Sequence, residues 1–127
     1  MKYLGIDYGR KRVGVALSDA NGRLAMPYAV VKRDTRIIES VAAIVRDEVV
    51  QEIVVGESVD QNGHPNPLMK DIEEFATRLG EYTSLPLHFE KEWMTSVHAR
   101  QSTGDEGSVD ASAAALILQR YLDKKNA

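Results

Sequence analysis

Asp7 closes the apolar run Tyr3-Leu4-Gly5-Ile6, and the basic turn Arg10-Lys11-Arg12 follows before Val13-Gly14-Val15-Ala16-Leu17 runs apolar again. A carboxylate beside Ile6 in a buried strand is costly unless a positive charge compensates it, and a divalent cation is the partner that would also give it work to do. In the later segment Leu87-His88-Phe89-Glu90-Lys91-Glu92, strand alternation puts His88, Glu90 and Glu92 on one face. Two carboxylates on one face again ask for a cation. Asp110 is the third acid. It reads as part of the first turn of the last helix, preceded by a glycine-bearing loop that lets it approach the sheet.

Asp7, Glu92 and Asp110 are therefore candidates to converge as catalytic and metal-binding carboxylates. Two or three oxygen ligands from separate elements are what Mg²⁺ accepts, because it keeps several waters and takes further ligands from substrate phosphates. Such a site can polarise a phosphodiester, and a second ion about 4 Å away can stabilise both attacking and leaving oxygens. Arg10, Lys11 and Arg12 would sit next to Asp7 and hold the backbone of a nucleic acid. Each residue also has a plainer explanation. Asp7 suits a turn, Asp110 suits the positive end of a helix, Glu92 suits a solvated strand end, and the basic triplet suits an exposed turn. It is their spacing together that carries the functional reading.

Other chemistries are less supported. His64, His88 and His98 lie apart, with no pair at zinc-ligand spacing. Ser58 after Gly56 lacks the strand-to-helix setting of a serine nucleophile. Trp93 could stack on a base, but a lone Trp is more often core or rim. The absence of cysteine excludes disulfides and thiolate metal sites and fits a cytoplasmic location. No apolar stretch approaches the roughly 20 residues of a membrane span, and no secretory leader is visible, so no membrane role is expected. Net charge is −3, but residues 1–36 hold eight Lys/Arg against three Asp/Glu, while residues 37–127 hold eight against sixteen. Uneven charge of this kind leaves a basic face for phosphates if the fold gathers it.

At 127 residues, the chain is expected to form one domain spanning 1–127. Tyr3 to Asp7, Arg12 to Ser18 and Arg23 to Val31 read as a three-strand antiparallel meander, with Asn21-Gly22 marking the second turn. Asp34 reads as a cap for a helix running to about Glu48, on the helical spacing of Ile37, Ile38, Val41, Ile44 and Val45. A strand over Ile53-Val54-Val55-Gly56 precedes a polar loop from Glu57 to Pro67. A second helix is marked by Ile72, Phe75, Ala76, Leu79 and Tyr82, and a strand by Leu85 to Glu92. Met94 to Arg100 reads as a short helix, and Ser108 as the cap of a last helix from Val109 to about Lys124. The fold class is α/β, a mixed sheet with helices packed on it.

The blocks Gly5-Ile6-Asp7-Tyr8-Gly9-Arg10-Lys11-Arg12-Val13-Gly14-Val15-Ala16, Ile53-Val54-Val55-Gly56, Glu92 with Thr95-Ser96-Val97, and Val109-Asp110-Ala111-Ser112-Ala113-Ala114 resemble the YqgF-type family of Holliday-junction resolvases and pre-16S rRNA nucleases. The resemblance covers nearly the whole chain. It implies a ribonuclease H-like fold, a five-stranded sheet with flanking helices, and places Asp7, Glu92 and Asp110 on the family's acidic metal-binding positions. It also implies Mg²⁺- or Mn²⁺-dependent phosphodiester cleavage in 5′-end maturation of 16S rRNA, with structured RNA and branched DNA as nucleic-acid partners. Two departures stand out. Lys91-Glu92-Trp93 replaces the family's Asp-Glu-Arg, leaving Glu90 or a shifted register to supply a second acid, and Glu57-Ser58 replaces an apolar-Pro pair.

Two other functions share these features. A nucleic-acid-binding module on the same fold would lack turnover, and an actin-, Hsp70- or sugar-kinase-like protein opens with a similar Gly-Ile-Asp-x-Gly hairpin but needs two lobes. Oligomeric state, a homodimer included, stays open, as does one metal against two.

Overall fold

A computed structural model describes residues 1–59, 67–93 and 106–127. The strands are β1 (Tyr3–Tyr8), β2 (Arg12–Ser18), β3 (Ala25–Lys32), β4 (Glu52–Val59) and β5 (Leu87–Trp93). The helices are α1 (Ile37–Asp47), α2 (Leu68–Thr83) and α3 (Glu106–Lys125). The strands form one sheet in the order β3-β2-β1-β4-β5. The first three pair antiparallel, and β1 with β4 and β4 with β5 pair parallel, so the expected mixed sheet with its meander is present. Parallel neighbours require crossover connections, which α1 and α2 supply.

Alternation along the strands sorts side chains into two cores. Leu4, Ile6 and Tyr8 on β1, with Val13, Val15 and Leu17 on β2 and Ile53 and Val55 on β4, meet the apolar stripes of α1 and α2. Tyr3, Ala16 and Val54 point the other way and meet Ala114, Ile117, Leu118 and Leu122 of α3. This second face carries small residues. A side chain on Gly5 would lie 2.7 Å from Leu118 Cβ, and one on Gly14 only 2.1 Å from the Asp110 carbonyl oxygen. The absence of side chains there lets α3 lie directly on the sheet. No helix among the described residues is long and apolar enough to cross a membrane.

Several boundaries differ from the sequence reading. β4 runs through Glu57 and Ser58 to Val59, because pairing with β5 extends to Val59↔Trp93 and ladder bonds outweigh local turn preference. α3 begins at Glu106, so Ser108 lies within the helix and Asp110 in its second turn. Arg36, not Asp34, is the N-cap of α1; the Asp34 carboxylate instead accepts the Arg36 backbone N–H at 2.9 Å in the preceding turn. The predicted helix over residues 94–100 lies outside the described residues.

The β2–β3 connection is longer than a tight hairpin. Gly22 adopts φ +67, and the Asp19 carboxylate accepts the backbone N–H groups of Arg23 at 2.8 Å and Leu24 at 3.2 Å. These bonds to the charged form hold the Asp19 pKa below its ordinary value of 3.8. A depressed carboxyl pKa stabilises the fold above the unfolded value and loses that contribution as pH falls through the folded one. The Arg23 and Leu24 amide resonances are therefore expected to titrate together with a midpoint below 3.8, and Asp19→Asn should remove the transition. A midpoint at or above 3.8 would contradict this account.

Candidate active site

Asp7 lies on β1 between two residues of the α1/α2 core, Ile6 and Tyr8, so its side chain faces α3, where it is partly buried. Its partner across the antiparallel ladder is Gly14. The space a Gly14 side chain would fill is taken by the backbone of Asp110, with the carbonyl oxygen 2.1 Å and the carbonyl carbon 2.6 Å from the Cβ position. Asp7 and Asp110, from opposite ends of the chain, are thus gathered about one glycine. The Asp110 side chain is 17% exposed, and its Oδ2 receives the Arg12 Nε–H at 3.3 Å. A carboxylate this withdrawn from water needs a positive partner.

The third predicted acid, Glu92, lies on β5, two strands from β1. Ile6 pairs with Val55 and Val55 with Phe89, so Glu90 is level with Asp7, two strands away, and Glu92 lies two residues farther along β5, paired with Ser58. The Glu92 and Trp93 side chains lie outside the described residues. Glu90, the alternative second acid, is 5% exposed and accepts a bond from Lys124 Nζ at 2.6 Å, which ties β5 to the far end of α3. Among the described residues, no group of three or more His, Cys, Asp or Glu side chains is assembled to hold a metal. His88 bonds Glu52 at 2.6 Å and stacks on Tyr121, while His64 and His98 lie outside the described residues.

The fold does gather positive charge beside Asp7. Arg10 and Lys11 are exposed in the β1–β2 turn, and Arg12 pairs across the ladder with Lys32 at the end of β3. Arg33, which the sequence reading passed over, organises this turn. Its Nη1 donates to the carbonyls of Gly9 at 3.3 Å and Arg10 at 3.4 Å, and its backbone N–H donates to Lys11 O at 3.0 Å. The guanidinium lies 4.6 Å over the Tyr8 ring and bonds Asp71 at 3.1 Å, and Tyr8 stacks on Phe75 at 4.3 Å. A basic residue after a strand carries no spacing signal, so only the packing shows this role. Arg12 also differs from its two neighbours. The sequence groups it with them as a nucleic-acid contact, and in the structure its Nε–H donates to Asp110 Oδ2.

Partly buried carboxylates are hard oxygen donors, and Asp110 already takes a cationic side chain as its counter-charge. Asp7 and Asp110 thus suit Mg²⁺ or Mn²⁺ by donor chemistry.

A family model described as RuvX, Holliday junction resolvase, matches residues 1–124. The chain belongs to the RuvX family. Among relatives of this RuvX chain, a protein of Gloeothece citriformis named "Putative pre-16S rRNA nuclease" is 36% identical, over 96% of this chain and 87% of the relative. One of the same name from Anaeromyxobacter sp. is 35% identical over 100% of both. The fold is similar to that of Thermus thermophilus RuvC, with TM-score 0.63 and 16% identity over 99% of this chain and 96% of that one. It is also similar to the fowlpox virus Holliday junction resolvase, with TM-score 0.58 and 14% identity over 98% and 99%. At these identities the likeness is one of fold, and it makes this chain ribonuclease H-like in architecture.

Proposed function

We propose that this RuvX chain is a divalent-cation-dependent nuclease that hydrolyses phosphodiester bonds in 5′-end maturation of 16S rRNA and acts on branched DNA, in the cytoplasm. The observation that carries the reading is that Gly14, the ladder partner of Asp7, is covered by the Asp110 backbone, beside the basic turn. Family membership and the names of the relatives support the same chemistry.

In this reading Asp7, Asp110 and Glu92 hold Mg²⁺ or Mn²⁺, which when bound supplies Lewis-acid polarisation of the scissile phosphodiester and activation of the attacking water. The chain's own residues set the geometry. The β1–β2 ladder fixes Asp7, and the bare backbone at Gly14 seats Asp110. Arg10 and Lys11 neutralise flanking phosphates and set the register of the nucleic acid without reading its sequence. Arg33 holds the turn that presents them.

The test is incubation of the purified protein with a 5′-extended 16S rRNA precursor fragment and a four-way DNA junction, in Mg²⁺, Mn²⁺ or EDTA. Products are expected with either cation, none in EDTA, and recovery when Mn²⁺ is restored. Salt-dependent binding with no cleavage in either cation would instead establish the non-catalytic module, which the Lys91 and Trp93 departures would suit.

A further inference from the structure

We infer that the outer face of α1 is an interface with a second copy of this chain, the two α1 helices pairing antiparallel about a twofold axis between Ala42 and Ala43. The inference does not depend on the nuclease reading. A groove of about 440 Å³ lies between the C-terminal ends of α1 and α2, with Ala42, Ala43, Val49 and Tyr82 among its walls. Val49 is 73% exposed and Tyr82 61%. Apolar groups left together at the surface of a cleft mark a place that another molecule covers. Val49 is also strained. α1 ends in a Schellman motif, in which the Val49 N–H donates to Arg46 O at 3.3 Å and the Val50 N–H to Val45 O at 3.0 Å. The motif sets Val49 at φ +54, a left-handed conformation that suits glycine and crowds a β-branched side chain. An exposed valine held this way costs the monomer stability, and burial against a partner offsets that cost.

The order of charges identifies the partner. Arg36, Glu39, Ala42, Ala43, Arg46 and Val49 recur at three- and four-residue spacing, on the side of α1 away from its buried Ile37, Ile38, Val41 and Val45. Glu39 lies as far before the Ala42–Ala43 step as Arg46 lies after it. In an antiparallel pairing each Glu39 therefore meets Arg46 of the other copy, and Val49 meets the aliphatic stem of Arg36. A stripe complementary to itself is what a twofold dimer requires. Alanine at the axis lets the helices approach to about 8 Å. Within one chain Glu39 bonds Arg36 at 3.3 Å and Arg46 bonds Asp47 at 3.3 Å, both pairs on exposed side chains. Surface pairs of this kind are weak, and a carboxylate and a guanidinium each keep bonding capacity for a second partner. α1 packs on the sheet face opposite α3, so the pairing leaves the Asp7 and Asp110 side of the molecule open.

The experiment is sedimentation equilibrium of the full chain without nucleic acid, at concentrations up to about 1 mM, a range that captures weak association. Wild type is expected to dimerise with a Kd of roughly 10–100 μM, as suits a small interface centred on one short helix. Glu39→Arg and Arg46→Glu should each weaken the dimer by about tenfold or more, because the twofold axis repeats the like-charge contact at both ends. An equimolar mixture of the two variants should regain wild-type affinity, since every clash then becomes an opposite-charge pair. A chain that had merely misfolded would show no such rescue. Val49→Gly, which relieves the strain and removes the methyl groups, should raise the urea midpoint of dilute protein while weakening the dimer. Wild type that stays monomeric to about 1 mM would overturn the inference and leave the groove to a different protein. A dimer that both charge reversals leave intact would overturn it too, because it would form through another face. So would a mixture of the two variants that associates no better than either alone.

Discussion

Asp7→Asn is expected to lower the rate of phosphodiester cleavage by about 10²–10³-fold, the equivalent of several kcal/mol of lost charge stabilisation. The substitution keeps the shape of the side chain and removes its charge, so the ladder partner Gly14 and the neighbouring core residues Ile6 and Tyr8 are undisturbed. Folding should not suffer. The expected pattern is thus a urea midpoint near that of wild type together with a near-complete loss of products in Mn²⁺. If wild type and Asp7→Asn cleave equally, the activity belongs to a contaminant or the site lies elsewhere. If cleavage falls only in step with stability, Asp7 is structural.

Gly14→Ala is expected to be the most damaging substitution of a single methyl group. The added carbon would sit 2.1 Å from Asp110 O and 2.6 Å from Asp110 C, with Ala111 N at 3.2 Å. All three are backbone atoms that no side-chain rotation can move, so α3 or β2 must shift as a unit. Overpacking of this kind costs about 1–3 kcal/mol and sometimes more. The clash falls on the residue that carries a site acid, and a displacement of about 1 Å can cost roughly 10²-fold in rate. Gly5→Ala provides the control. Its methyl group would lie 2.7 Å from Leu118 Cβ and 3.0 Å from Ala114 O, farther along α3, and it should lower stability with less effect on cleavage. Urea unfolding and cleavage rates of the two variants, measured side by side, check this. Wild-type stability and rate in Gly14→Ala would refute the close seating of α3.

Tyr3–Tyr8 and Arg12–Ser18 were readable as paired strands because their apolar residues alternate about a glycine-bearing basic turn, a pattern set by neighbours in sequence. The apolar stripe of α1 was readable for the same reason, since Ile37, Ile38, Val41 and Val45 recur at helical spacing. The ends of elements were less legible. β4 continues through Glu57 and Ser58 only because β5 offers a ladder partner, and α3 starts four residues before Asp110, which places that acid beyond the first turn that a helix dipole most favours.

Residue type and order alone nominated Asp7, Glu92 and Asp110, along with the basic turn, because buried or clustered carboxylates demand positive charge wherever the chain places them. Which groups meet was decided by tertiary packing. Gly14 looks like an ordinary strand glycine until α3 crosses it, Arg12 looks like its neighbours until Asp110 arrives beneath it, and Arg33 has no visible purpose until the Gly9 and Arg10 carbonyls turn toward it. Glu90 and Lys124 likewise find each other only when the sheet and α3 are assembled. Local periodicity acts between residues a few positions apart, whereas these contacts depend on the register between strands and the depth at which a helix sits, and both are fixed only when the whole core closes.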